Sequence, residues 1–259
     1  MERWISENLV LFLALAGGTL GLLMLIFLGL SILSRGALVE AVVALHGGEE
    51  RGFSSTWRAG LAHFWRVLGL VLLIFLISLG ILLAVGVPAG LASWAVLATA
   101  ESVGMRVLFV TLVGLLALVV SVLLFVPLYI TWQLALRELV VGGEGVAGAL
   151  RGGYGLFGRS PSRSLLVWLI QVALAIGVGI VVAIVGTICG LLLYGMVVAA
   201  GALDSTVATA ITTAVALVLF FLVAVAVSGV VGAFFSGYWT LAYLRLRREG
   251  DELPVAGSD

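Results

Sequence analysis

The chain has 259 residues, of which 63% are hydrophobic and only 10% are charged, and its mean hydropathy is +1.31. A typical soluble domain carries about 25% charged residues, so this composition excludes a water-soluble domain. All 13 basic residues are arginine, and 13 acidic residues balance them, which gives no reason to expect nucleic acid as a partner. The lone cysteine, Cys189, excludes an intrachain disulfide and a thiolate cluster for a metal.

Five stretches are long and apolar enough to cross a bilayer, which takes about 20 residues of helix. The first is too long for the core of a signal peptide, about 7–15 residues, so we interpret it as a retained membrane helix. A further apolar stretch, Gly186–Gly201, either extends the fourth helix, lies in the interface or re-enters the membrane. The predicted spans are Leu9–Leu33, Val67–Val87, Val107–Ile130, Leu165–Val185 and one within Ala208–Tyr238.

The arginines fall mainly on one side of these spans. Four lie between spans one and two, four between spans three and four, and three after span five, whereas only Arg3 and Arg106 lie on the other side. Cytoplasmic loops of membrane proteins are enriched in basic residues. The sequence therefore predicts a multi-pass protein of the cell's inner (plasma) membrane, with its N-terminus outside and its C-terminus in the cytoplasm.

Two of the predicted cytoplasmic segments, residues 57–66 and 150–159, are related in sequence. A Gly-Gly-Glu triplet also precedes each of them, at Gly47 and Gly142, after a two-residue adjustment. We interpret the similarity as an internal repeat. The matched residues are Arg58, Gly60, Phe64 and Arg66 in the first segment and Arg151, Gly153, Phe157 and Arg159 in the second.

The repeat predicts an all-α fold, a polytopic membrane helical bundle with two helix–amphipathic segment–helix units and a final long helix. Glycine often follows the last turn of a helix, so we expect the three long odd-numbered helices to end at Gly47, Gly142 and Gly250. The predicted organisation is a single membrane domain over 1–259, with repeat one at 9–92, repeat two at 106–190, the final helix at 206–249 and a short tail at 250–259.

Each repeated segment is predicted to be an amphipathic helix, because its apolar residues step by four, four and three positions. Such a helix lies in the membrane interface, with its aromatic face toward the acyl chains and its arginines at the headgroups. For any single arginine, ordinary positive-inside anchoring is the alternative. The apolar positions are Phe53, Trp57, Leu61 and Phe64, and Val146, Leu150, Tyr154 and Phe157. The candidate headgroup contacts are Arg58, Arg66, Arg151, Arg159 and Arg163.

Small residues four positions apart on the last span, Ser228, Gly232 and Ser236, predict close helix packing. Packing within the monomer is the preferred interpretation, and a dimer interface is the alternative. The oligomeric state is left open.

The C-terminal residues 239–253 read Trp-Thr-Leu-Ala-Tyr-Leu-Arg-Leu-Arg-Arg-Glu-Gly-Asp-Glu-Leu. This segment resembles the end of a family of largely uncharacterised prokaryotic membrane proteins, related to the membrane domain fused to some glycerophosphoryl diester phosphodiesterases. The segments around Arg58 and Arg151 also resemble that family's repeated amphipathic elements. The resemblance implies a membrane domain and not an active phosphodiesterase.

The residues needed for catalysis are scarce. The two histidines, His46 and His63, form no His-Glu-x-x-His pattern, and the glycine-rich runs lack the Gly-Lys-Ser/Thr close of a phosphate loop. His63 is expected on the polar side of its helix. We therefore expect no enzyme activity, no cofactor and no metal.

Two functions fit the sequence. The first is a non-catalytic membrane protein that organises anionic lipids or a membrane protein partner at the cytoplasmic face. The second is a small transporter or flippase-like protein for an apolar or lipid-like substrate, with a path between the repeats. Polar groups at membrane depth are typical of transporters, and Gln171 is the strongest candidate here. Helices broken at Pro88 or Pro127 would also favour the second function.

Overall fold

The computed structural model describes residues 9–48, 52–202 and 205–252, and these residues are helical apart from short connections. Arg3, Arg51 and the predicted tail beyond residue 252 lie outside the described residues. Within the described part, six helices follow one another along the chain. They are α1 (Leu9–His46), α2 (Phe53–Thr99), α3 (Val103–Val141), α4 (Val146–Arg159), α5 (Pro161–Gly201) and α6 (Thr206–Glu252).

Five of these helices, all except α4, are long and apolar enough to cross a membrane. Their apolar side chains lie largely on the outside: Leu116 and Leu123 on α3, for example, are each 66% exposed. An apolar surface of this extent is not stable in water, whereas lipid acyl chains solvate it well. The chain is therefore a multi-pass membrane protein, and the prediction of five long apolar helices is confirmed.

The stretch Gly186–Gly201 extends the fourth predicted span, because α5 continues without a break to Gly201. Of the three alternatives left open by the sequence, the helical extension is the one observed. The two internal prolines also leave their helices continuous, with Pro88 inside α2 and Pro127 inside α3. The broken helices that would favour a transporter are absent from the residues described.

The two repeated segments differ in how they join the following span. The first is the start of α2 itself, so the prediction of a separate amphipathic segment in repeat one is wrong. The second is the separate helix α4, which ends at Arg159. Pro161 explains the difference, because proline disfavours helical backbone at the preceding residue, and Ser160 has φ −144° and ψ 66°. No proline lies between Phe53 and Val67.

Three long helices are predicted to end at a glycine, and two of them do. Helix α1 ends directly before Gly47, and α3 ends directly before Gly142, whose N–H donates to the carbonyl oxygen of Glu138 at 3.0 Å. The next residue in each turn, Gly48 or Gly143, has a positive φ of 80° or 69°, which favours glycine. The prediction at Gly250 is wrong, since α6 continues to Glu252.

The chain forms two compact units, residues 1–157 and 158–259. In unit 1, α2 packs against both α1 and α3, and α1 also contacts α3. The buried core of unit 1 lies toward the end that carries the two glycine turns, which we call the glycine-turn end. Its members include Ile32 and Val39 of α1, Val67 and Leu70 of α2, Ala135 and Leu139 of α3, and Ala149 of α4.

In unit 2, the chain reverses between α5 and α6, and the two helices pack against each other. Two hydrogen bonds join them near the start of α5. The hydroxyl of Tyr238 donates to the carbonyl oxygen of Val167 at 2.8 Å, and the indole Nε1 of Trp239 donates to Oε1 of Gln171 at 3.0 Å. Gln171, the strongest polar candidate for transport, thus accepts a structural hydrogen bond.

Candidate functional site

Two glycines of the related segments, Gly60 and Gly153, lie against the backbone of the preceding long helix. A methyl group added at Gly60 would lie 2.9 Å from the carbonyl oxygen of Leu33 and 3.1 Å from Cβ of Ala37. A methyl group at Gly153 would likewise lie 2.9 Å from the carbonyl oxygen of Thr131, and 2.7 Å from the amide nitrogen of Ala135. Each glycine therefore meets a carbonyl and an alanine four residues further along, and each contact needs the absence of a side chain.

This close approach decides which way the matched arginines face. At 3.6 residues per turn, an arginine two residues before the glycine lies about 200° around the helix from it, and one six residues after lies about 240° around. Both positions are on the side away from the glycine contact. The five predicted headgroup arginines are all exposed, three of them in unit 1 and two in unit 2: Arg58, Arg66, Arg151, Arg159 and Arg163.

Arg66 donates a long hydrogen bond within unit 1, from its Nη1 to the carbonyl oxygen of Gly143 at 3.4 Å. This weak hydrogen bond joins α2 to the turn between α3 and α4. The guanidinium is exposed nonetheless, so its remaining donors face the surroundings.

Helix α4 has an apolar side that the sequence predicts and a second, buried side that the structure adds. The buried side consists of Ala149, Gly153 and Leu156, while Tyr154 on the predicted aromatic face is 67% exposed. The small residues at 149 and 153 pack on α3, where Gly153 has its closest contacts. Of the predicted apolar face, Tyr154 lies at the surface, whereas Val146 and Leu150 pack against the buried core of unit 1. The prediction that this whole face meets acyl chains therefore needs correction.

Arg137 is one of the four arginines between spans three and four, which the sequence predicts to be cytoplasmic, yet it is only 2% exposed. Its Nη1 donates to both the carbonyl oxygen of Gln133, at 2.7 Å, and the Oε1 of the same residue, at 2.6 Å. Arg137 therefore stabilises the end of α3 and does not present its charge to headgroups. The sequence gives no signal for this burial, because Arg137 lies between predicted spans three and four, as do the exposed Arg151 and Arg159.

A cleft of about 390 Å³ lies at the glycine-turn end of unit 1, where Glu40 and His63 face each other. The Nδ1 of His63 lies 2.9 Å from the carbonyl oxygen of Ala59 and 3.8 Å from Oε2 of Glu40. His63, which was expected on the polar side of its helix, is instead partly buried, with only 21% of its side chain exposed. Residues 9–48, 52–202 and 205–252 include no group of three acidic, histidine or cysteine side chains that could hold a metal ion.

A second groove, of about 370 Å³, runs between α5 and α6 in unit 2. Its two charged lining residues are Arg163, near the start of α5, and Arg245, near the end of α6. The rest of its wall is apolar, except for the hydroxyl of Tyr238, which bonds to Val167. The sequence predicts a headgroup contact for Arg163 but not for Arg245. The two residues lie far apart along the chain, so no local pattern links them.

The predicted packing stripe of α6 is placed mostly at the surface. Ser228 and Gly232 are exposed and Ser236 is partly buried. A methyl group added at Gly232 would meet nothing within 4 Å. Within the described part of the chain, no helix therefore approaches Gly232 closely.

The helices and their apolar surface define the class of the protein as a multi-pass α-helical membrane protein. A comparison of the chain with models of protein families, with curated proteins and with solved structures finds no match. The geometry of its own residues is thus the basis for a functional proposal.

Proposed function

We propose that this chain is a non-catalytic protein of the inner membrane that binds anionic lipid headgroups at its cytoplasmic face. The observation that carries the proposal is the shared geometry of the two related segments. In each, a glycine fits against the preceding helix and the matched arginines lie exposed on the other side. A guanidinium is well suited to a lipid phosphate, because it forms planar, paired, charge-assisted hydrogen bonds.

The proposed orientation has the N-terminus outside and the C-terminus in the cytoplasm. It is supported by the eleven-to-two division of the arginines along the sequence. In this orientation the glycine-turn end of unit 1 faces the cytoplasm, where anionic lipids give the membrane surface its negative potential.

The transporter alternative has less support. The continuous helices at Pro88, Pro127 and Gly186–Gly201 provide no half-helix ends at membrane depth. Gln171, moreover, is bonded to Trp239. Lipid binding at the surface requires neither feature.

Lipid retention tests the proposal. The protein is reconstituted in vesicles of equimolar phosphatidylglycerol and phosphatidylcholine, extracted in mild detergent and analysed by native mass spectrometry. We expect the double variant Arg58→Gln/Arg151→Gln to retain less phosphatidylglycerol than the wild type, while Arg58→Lys/Arg151→Lys retains an intermediate amount. Arg106→Gln is the control, because Arg106 lies on the predicted outer side and bonds to the carbonyl oxygen of Ala100. Unchanged retention in the glutamine variant would remove the basis of the proposal.

A further inference from the structure

The groove of unit 2 that carries Arg163 and Arg245 suits an amphiphilic ligand, because its lining is part charged and part apolar. The lining residues of α5 lie at positions 163, 166, 167 and 170, and those of α6 at 238, 241, 242, 245 and 246, so each set follows one helical face. Because the two helices run in opposite directions, Arg163 and Arg245 lie at the same end. From that end the wall continues over seven residues of each helix, about 10 Å at 1.5 Å per residue.

Besides the two arginines, the polar group in the lining of this groove is the hydroxyl of Tyr238, whose proton is already used within unit 2. Tyr238 lies at its far end and donates its hydroxyl to the carbonyl oxygen of Val167 at 2.8 Å. Leu166 and Leu241, which line the groove, are 57% and 44% exposed, and the small Ala242 lines it as well. An occupant therefore meets charge at one end and hydrocarbon along the remainder.

We propose that this groove binds one anionic glycerophospholipid. Its phosphate lies between the guanidinium groups of Arg163 and Arg245, and the first part of one acyl chain lies along Leu166, Ile170 and Leu241. The site rests on the proposed function and narrows it to one place in the chain. Charge complementarity identifies the occupant: two exposed arginines close one end of a groove whose other walls are apolar.

The two parts of the site contribute differently. Acyl chains are as apolar as leucine, so a chain leaving bulk lipid for this groove gains little, and the groove selects poorly by chain length. The arginines, by contrast, distinguish an anionic headgroup from a zwitterionic one, since they add charge-assisted hydrogen bonds to the phosphate. We therefore expect selectivity for headgroup charge and weak selectivity for chain length.

A different groove of unit 2, without arginines, supplies a matched control. It is lined by Gly190, Tyr194, Leu217 and Phe220, among others, and has no charged lining residue. A lipid held there by apolar contact alone would show no preference for an anionic headgroup.

The test uses the full chain in equimolar phosphatidylglycerol and phosphatidylcholine, with retained lipid read by native mass spectrometry. We expect Arg163→Gln/Arg245→Gln to lower the preference for phosphatidylglycerol about tenfold, the equivalent of about 1.4 kcal/mol. Ala242→Phe, which keeps both arginines and fills the groove, should also lower retention. Leu217→Ala, in the uncharged groove, should leave the preference unchanged. Thermal unfolding of each variant in detergent shows whether the fold is preserved.

The outcomes separate this site from the proposed function. If Arg163→Gln/Arg245→Gln retains phosphatidylglycerol like the wild type while Arg58→Gln/Arg151→Gln does not, the groove site is overturned and the proposed function stands. If only the groove variants lose the lipid, the groove site stands and the role of the repeated segments is lost. Complete displacement of the lipid by inorganic phosphate would identify a phosphate site without an acyl contribution, and would also overturn the inference.

Discussion

Gly60 of α2 lies so close to Leu33 of α1 that a single added methyl group would come within 2.9 Å of the Leu33 carbonyl oxygen. Such a contact brings two helix backbones together, as small residues commonly do in membrane proteins. The same relationship joins Gly153 of α4 to Thr131 of α3. The two contacts hold the arginine-bearing helical faces of unit 1 in place, so they are the first targets for substitution.

Gly60→Ala and Gly153→Ala are each expected to destabilise the protein by about 1–3 kcal/mol, the range for an overpacked contact. The added methyl group meets backbone atoms that cannot rotate away. Thermal unfolding in detergent measures the effect. Gly80→Ala in α2 and Gly155→Ala in α4 are the controls, because a methyl group there meets nothing within 4 Å. If Gly60→Ala and Gly153→Ala unfold at the same temperature as their controls, the close approach is wrong.

Gln171→Leu is expected to destabilise the protein by about 1–3 kcal/mol, because the buried Nε1 of Trp239 loses its acceptor at 3.0 Å. Trp239 is only 1% exposed, so water does not replace the amide oxygen readily. The measurement is again thermal unfolding in detergent. Thr187→Val, on the same helix, is the matched control, since its hydroxyl bonds only to the carbonyl of Ala183 within the helix. A Gln171→Leu protein as stable as Thr187→Val would contradict this role.

The orientation is expected to follow the arginines. In a Cys189→Ser background, a membrane-impermeant maleimide should label Glu101→Cys in intact cells, because the turn between α2 and α3 is placed outside. Ser54→Cys, near the start of α2, should be labelled only after permeabilisation. Both native side chains are exposed, so access depends on the side of the membrane. The reverse pattern would show that the N-terminus lies in the cytoplasm.

The coarse fold can be predicted from this sequence because lipid imposes a simple rule on it. Each span must be a long apolar helix, so the five long helices follow from runs of apolar residues. The ends of α1 and α3 follow too, since Gly48 and Gly143 occupy positive φ angles. The continuity of α2 could be predicted only by noticing that the first repeat lacks a counterpart of Pro161.

The candidate sites depend on contacts that no local pattern contains. Arg163 and Arg245 share a groove only because the chain reverses between α5 and α6. Glu40 and His63 meet because α1 and α2 pack at the glycine-turn end. Arg137 is buried and Arg151 is exposed, although both are arginines of predicted cytoplasmic segments. Burial of this kind is set by the neighbouring helices rather than by sequence periodicity.

The uninterrupted course of α5 has a consequence for the bilayer itself. From Leu165 to Gly201, a stretch of 37 residues, the helix has no charged side chain. At 1.5 Å per residue this apolar length is about 55 Å, against a hydrocarbon core of about 30 Å. A tilt of about 40°, the upper end of the usual range, still leaves about 42 Å to cover. We therefore expect a positive hydrophobic mismatch, in which the lipids around α5 stretch and the protein concentrates in the thicker regions of its membrane.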